Sequence, residues 1–273
     1  MVLNADAGGG TLGDDGTPRY YSIQAGEKTY ADYEIVITNP GGHSSRPTGT
    51  NAIVDMAGVL ERIGAYEFPV QTSDVTLGYF RETAKQTPGD LGEAMARFAD
   101  DPSDPAADAR LSKEPEYVGQ IRTTCVATMI NGGHAQNALP QHVSANVNCR
   151  IFPGVSPEAI LQKLQDIAGT EATVSLPIAG HSSDSSPLDP ILMAAVRKAV
   201  DEQAPGLTII PQMSAGATDS LFFRAEGIPS YGVSGIFMKP SDDYAHGLNE
   251  RVPVDSIPGA LEHWHTLLTE LAG

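Results

Sequence analysis

Basic residues are scarce in this chain: 17 Lys+Arg stand against 34 Asp+Glu in 273 residues, a formal net charge of −17. So acidic a balance argues against binding a phosphate backbone, and no nucleic-acid partner is expected. Long apolar runs are missing as well. Nothing approaches the roughly 18–20 apolar residues of a membrane span, and MVLNADAGGG lacks the basic and apolar regions of a signal peptide. Only two cysteines occur, Cys125 and Cys149, which excludes a disulfide scaffold and a Cys-rich zinc site. The short catalytic signatures HExxH, CxxC, P-loop and GxSxG are all absent. GVSGI at 232–236 lacks the final glycine, and GGG at 8–10 is neither GxGxxG nor followed by a helix pattern. What is present, 41% hydrophobic and 19% charged residues, suits a soluble protein of one large domain or two ordinary ones.

Three zones follow from the patterning. Residues 1–29 pass from a Gly-rich segment into a short strand, YYSIQAGEK. Residues 30–180 alternate strands and amphipathic helices. Tyr33, Ile35 and Ile37 alternate with Glu34, Val36 and Thr38 as in a half-buried strand, and Ile53, Met56, Ala57, Leu60 and Ile63 mark one face of a helix. Strands over 118–130 and 142–152 form a hairpin. A helix then opens on Ser156 as N-cap with Pro157 at N1 and stops at Gly169, before a last strand, ATVSLPI. Strand–helix–strand–strand–helix–strand is the split βαβ, ferredoxin-like order. Residues 71–117, charged and Asp-rich, interrupt it and read as a surface insertion with one short helix around Glu93–Phe98. Residues 181–273 begin with a Ser-rich linker. A helix capped by Asp189, a strand GLTIIPQ, the turn SAGATDS, a short helix ending at Gly227, a strand IPSYGVSG and a helix over 257–271 follow. That alternation reads as part of an α/β sheet, with few strands for an independent layer.

If the hairpin is symmetric about residue 137, Cys125 and Cys149 lie nearly opposite each other. They are expected to be two small buried hydrophobes on one sheet face; a cross-strand disulfide requires an oxidising compartment, for which nothing in the sequence argues. Of seven histidines, His263 and His265 are two apart in a helix and cannot chelate together. His134 and His142 flank the hairpin loop without a carboxylate at ligand spacing, and His181 sits in the linker. His43 in NPGGHSSRP and His246 in SDDYAHGLNE remain, both in loops past strands with glycines that admit close backbone approach. Taken alone, Asp6 reads as a turn residue and Arg150 as a strand-edge solubiliser.

The ordered segments LNADAGGG, GGHSSRPTGTNAI, IRTTCVATMINGGHAQNALPQHVSANVNCRIFPG, SAGATDSLFF and DDYAHGLNERVPVD resemble the M20 metallopeptidases, most closely their carboxypeptidase S-like, aminoacylase and carboxypeptidase G members. The resemblance touches all three zones. It implies an α/β class: part of a zinc-hydrolase α/β/α sheet, residues 1–29 and 181–273, with an inserted α+β ferredoxin-like dimerisation (lid) domain over 30–180. It implies that Asp6 and His246 ligate metal, two zinc ions being expected per intact active site. His43 would reach across the dimer to stabilise an oxyanion. Asn137 and Arg150 would bind substrate, the guanidinium suiting a free carboxylate, and Gly216 and Thr218 would face that same carboxylate. A homodimer through the lid and a small peptide or N-acyl amino acid substrate are the implied partners.

The family pattern also expects an HxD motif and adjacent glutamates supplying further ligands and the general base. Neither occurs; HSSD at 181–184 has one residue too many, and there is no Glu-Glu pair. The expectation is a fragment, lid plus the C-terminal part of the catalytic domain, that binds zinc without tightness and is inactive alone. Its parent would hydrolyse amide bonds next to a free carboxylate. The alternative is a non-catalytic dimerisation or small-molecule-binding module derived from that family, which upstream coding sequence lacking HxD and Glu-Glu would favour. Localisation is not legible.

Overall fold

The computed structural model describes residues 1–178, 180–245 and 247–273. In chain order its elements are β1 (Val2–Asn4), β2 (Gly9–Leu12), β3 (Pro18–Glu27), β4 (Thr29–Thr38), β5 (Gly42–His43), α1 (Ala52–Ala65), α2 (Asp74–Ala84), α3 (Gly89–Asp100), α4 (Pro105–Leu111), α5 (Pro115–Ile121), β6 (Thr124–Gly132), β7 (Ala138–Leu139), β8 (His142–Ile151), α6 (Pro157–Ala168), β9 (Thr173–Ser175), α7 (Pro190–Gln203), β10 (Ile209–Ser214), α8 (Ser220–Ala225), β11 (Ser230–Gly232), β12 (Phe237–Met238) and α9 (Ser256–Ala272). They divide into two compact units. One comprises Met1–Glu27, Thr72–Ile121 and Ser183–Gly273, the other Lys28–Gln71 and Arg122–Ser182.

In the second unit the strands lie in the order β6–β8–β4–β9, antiparallel throughout. With α1 after β4 and α6 after β8, this is the ferredoxin-like arrangement. Period-two alternation divides the sheet. Tyr33, Ile35, Ile37, Val143, Ala145 and Val147 bury one face against Met56, Val59 and Ile63 of α1 and Ile160 and Leu164 of α6. The helix α6 is delimited as its sequence predicts: Ser156 Oγ accepts the Ala159 N–H at 3.1 Å, Pro157 occupies the first turn, and Gly169 ends it with φ 83°. A cap of this kind contributes about 1 kcal/mol. Arg62 of α1 then donates to the carbonyls of Ile167 and Ala168 and pairs with Glu171, satisfying acceptors the helix leaves open.

Two expectations about the hairpin fail. Cys125 and Cys149, opposite each other in the β6–β8 register as the symmetry predicts, are joined in a disulfide instead of standing as separate buried thiols. Residues 118–121 belong to α5, not to the hairpin strand; a short apolar run does not distinguish helix from strand by periodicity.

The first unit is organised on β3, whose Tyr21, Ile23 and Ala25 are fully buried. Along β3 run parallel β10 and antiparallel β2, with β11 meeting it at Gln24; β1 and β12 add in parallel to β11 and β2. The helices α7 and α9 pack on each other, and Leu192, Val196 and Ala199 of the first and Leu267 of the second are buried. Here 71–117 departs from expectation: it is not a surface insertion with one short helix, because 72–121 forms four helices that pack within this unit. Val75 and Phe80 of α2 and Met95 and Phe98 of α3 are buried, the Phe80 and Phe98 rings 5.2 Å apart. The Asp-rich stretch that reads as loop is capping chemistry. Asp104 Oδ1 accepts the N–H groups of Ala106 and Ala107 at the start of α4, and Asp101 accepts from Ser103.

Candidate functional site

The predicted site residues fall into three local groups. In the ferredoxin-like unit, Gly41 (φ 77°) and Gly42 (φ 151°) let the chain turn after β4, since an L side chain is strained at these angles. The turn brings β5 against β7, His43 opposite Ala138. The Ser44 N–H donates to the Asn137 carbonyl at 2.9 Å, so His43 and Asn137, far apart in sequence, become neighbours. The His43 imidazole is exposed. Its Nδ1 lies 3.2 Å from the Ser45 N–H, which donates to it, and 2.8 Å from Ser45 Oγ; with Nδ1 as acceptor, Nε2 is the ring nitrogen left to donate.

Arg150 is not in that group. It stands at the far end of β8, opposite Tyr30 of β4, while His142 at the near end pairs with Thr38. Eight residue steps along the strand separate His142 from Arg150, roughly 27 Å at about 3.4 Å per step. The Arg150 guanidinium stacks over the Tyr30 ring, 4.7 Å from its centroid. Lys28 is buried nearby, its Nζ donating to the Arg122 carbonyl at 2.9 Å. Burial, and secondarily the Arg150 charge, depress this ammonium to about 7.

The third group lies in the other unit. Asp6 is exposed on the loop leaving β1, on a cleft of about 500 Å³ that Asp243, Lys239, Arg251 and Gly8–Gly10 also line. The glycine run is there for contact: a Cβ on Gly8 (φ +76°) would meet the Gly232 carbonyl oxygen at 2.4 Å, and one on Gly9 the Ile236 oxygen at 2.8 Å. His246, the second expected metal ligand, lies outside the described residues. Among the described residues no three His, Cys, Asp or Glu side chains gather as an ion would require, so they do not by themselves form a metal centre. Gly216 and Thr218 are on the turn after β10, where the Gly216 N–H donates to Ser214 Oγ at 3.0 Å. This turn is absent from the cleft lining, but Asn4 links the two places. Its Oδ1 accepts the Asp6 N–H at 2.9 Å, and its Nδ2 donates to Ser220 Oγ at 3.1 Å just past the turn.

Sequence reading misses what holds that turn. Glu27, fully buried at the end of β3, accepts the Thr218 N–H at 2.6 Å and pairs with buried Arg224 at 2.8 Å. Arg224 also donates to the Ser230 carbonyl and to Ser186 Oγ. Burial pushes the Glu27 carboxyl up from its usual range, opposed by Arg224 and the Thr218 amide.

Against known proteins, the M20_dimer family, described as a peptidase dimerisation domain, matches residues 25–174, more than half the chain. The chain is 26% identical over 264 residues to the N-fatty-acyl-amino acid synthase/hydrolase PM20D1 of Homo sapiens, covering 91% of this chain and 51% of that protein. It is 30% identical over 172 residues to aminoacylase-1 of Mus musculus, covering 60% of this chain and 40% of that protein. Among solved structures, it matches the M20 family metallo-carboxypeptidase Sso-CP2 from Sulfolobus solfataricus with a TM-score of 0.62 at 18% identity, over 95% of this chain and 61% of that one. The aminopeptidase PepT from Bacillus cereus matches with 0.59 at 15% identity, over 93% of this chain and 55% of that one. At these identities the structural likeness is one of fold. The chain spans about half the length of the curated relatives it matches.

Proposed function

Because the chain belongs to the M20 peptidase family through its dimerisation domain, we propose that it is part of a metal-dependent hydrolase of amide bonds next to a free carboxylate, in peptides or N-acyl amino acids. The names of its relatives, an N-fatty-acyl-amino acid synthase/hydrolase and an aminoacylase, support that substrate class. In this reading Arg150 takes the substrate carboxylate through its planar fork, and Gly216 and Thr218 are assigned to that same carboxylate. His43 presents its Nε2–H to the oxyanion of the tetrahedral intermediate, and Asn137 hydrogen-bonds the substrate. Asp6 and His246 are metal ligands, zinc being the expected ion. The HxD and Glu-Glu elements are not in these 273 residues, so the chain is assigned one part of the site and no turnover by itself.

The observation that carries the reading is the separation within the lid. His43 and Asn137 are neighbours, whereas Arg150 stands at the other end of β8. One lid therefore does not bring all three to one substrate, and a homodimer resolves this if each site takes Arg150 from one protomer and His43 and Asn137 from its partner. The sheet order ends at β6, whose Val126, Met129 and Ile130 are exposed. An exposed apolar edge strand is a ready pairing surface between copies.

In the catalytically competent protein, His43→Ala should lower kcat by roughly 100- to 1000-fold with metal content unchanged. Lost metal in that variant would overturn the oxyanion role. Mixing H43A and R150A proteins, each strongly impaired toward the carboxylate substrate, should restore about one quarter of wild-type activity, because random mixed dimers hold one intact site in two. No recovery after verified subunit exchange would refute the shared site.

A further inference from the structure

The open face of the ferredoxin-like sheet carries a polar ladder that ends on Arg150. Alternation puts Tyr30 and Asp32 of β4 on this face, with Asn146, Asn148 and Arg150 of β8 in register beside them. The Asp32 carboxylate is shared in full. Its Oδ1 accepts from Asn148 Nδ2 at 2.9 Å and from Asn146 Nδ2 at 3.0 Å, and its Oδ2 accepts the Tyr30 hydroxyl at 2.6 Å. Asn146 Nδ2 also donates to Thr128 Oγ1 on β6 at 2.8 Å, so three strands are tied to one carboxylate. Burial alone would push Asp32 up. The hydrogen bonds from Tyr30, Asn146 and Asn148, with the Arg150 charge, hold it below its ordinary value, so it is an ionised anchor at neutral pH.

Tyr30 is exposed across nearly half its surface, yet its ring is not loose. The phenol is tethered at one end to Asp32, and the guanidinium of Arg150 lies over the ring face. A stacked guanidinium loses rotational freedom before any ligand arrives, which strengthens recognition that needs its plane in one orientation. We infer that Tyr30, tethered through Asp32 to Asn146 and Asn148, is a positioning residue that holds Arg150 for the carboxylate of the substrate and sets the preference for carboxylate over amide ends. This rests on the reading of Arg150 as the carboxylate-binding residue. It adds a residue that touches no substrate and assigns a purpose to the Asp32 ladder.

The experiment compares N-acetyl-L-methionine with N-acetyl-L-methioninamide, hydrolysed by the catalytically competent protein, in wild type, R150A, Y30A, Y30F and Y30W. Arg150→Ala should abolish the discrimination between the two compounds. Tyr30→Ala should raise KM for the carboxylate roughly 3- to 10-fold, leave kcat within about twofold and leave KM for the amide unchanged. Tyr30→Phe and Tyr30→Trp, which keep a ring under the guanidinium but lack the hydroxyl that bonds Asp32, should both fall between wild type and Y30A. If R150A discriminates normally, or the wild type hydrolyses neither compound, the assignment of Arg150 fails and this inference with it. If R150A loses discrimination while folded Y30A and Y30F keep wild-type KM for the carboxylate, only the positioning role of Tyr30 is overturned. An unfolded Y30A leaves the decision to Y30F and Y30W, in which wild-type KM values for the carboxylate would refute the tether.

Discussion

Breaking the Cys125–Cys149 bond is the perturbation whose size follows most directly from the fold. The bond joins residues 24 apart on paired strands. Closing a loop of that length removes denatured-state entropy worth about 3.5 kcal/mol at 25 °C. The native side should change little on reduction: Cys149 is fully buried in the core cluster and Cys125 packs against it, and separated thiols occupy such a site as small hydrophobes. Reduction therefore acts through the unfolded chain. If the ferredoxin-like unit of roughly 100 residues melts independently, its Tm should fall by roughly 15–25 °C, and by about half that if the whole chain unfolds in one transition. The assay is calorimetry of oxidised protein, protein reduced with phosphine, and a C125A/C149A double variant. Alkylation of the denatured, unreduced protein followed by mass measurement fixes the starting state. Two alkylated thiols in that control would show that no bond exists. Oxidised and reduced samples melting within about 2 °C of each other would refute the entropic reasoning. The double variant should melt near the reduced protein and be indifferent to reductant.

Two other perturbations test the buried charges. Lys28, depressed to about 7 by burial and by Arg150, binds a proton in the unfolded chain that the folded chain releases between pH 7 and its ordinary value of 10.5. Its contribution is lost as pH falls through 7, and stability should rise with pH above 7 by up to about 1.4 kcal/mol per unit. Denaturant titrations between pH 7 and 9.5 should show this slope flattened in Lys28→Met; parallel profiles would exclude Lys28 as its source. In the other unit, Arg224→Met leaves the Glu27 carboxyl buried without its partner and should cost about 3–5 kcal/mol. Joint replacement as E27L/R224M should cost less than that single change, and urea unfolding showing additive losses would mean the two side chains act independently.

Much of this protein is legible in its sequence because local chemistry dictates it. The alternation of Tyr33, Ile35 and Ile37, the heptad-like spacing of Met56 and Ile63, and Ser156-Pro157 with Gly169 specify strand, helix and helix ends without distant contacts, and their order predicts the ferredoxin-like sheet that forms. The place of 72–121 is different. Asp101 and Asp104 look like loop residues in one dimension and become caps only when the flanking apolar faces of α3 and α4 find a core. The two cysteines show the same division: symmetry about the hairpin predicts that they face each other, but bonding depends on how closely the paired strands bring them, 4.1 Å between Cα atoms. The candidate site divides likewise. Motif order picks out His43, Asn137 and Arg150. Strand register alone sets His43 beside Asn137, sends Arg150 to the other end of β8, and lays its guanidinium on a tyrosine that no motif marks. Residue type determines which groups can do chemistry. Which of them meet is decided by pairing across the sheet, because side chains far apart in sequence are brought together only by the backbone hydrogen bonds and packing of the folded chain.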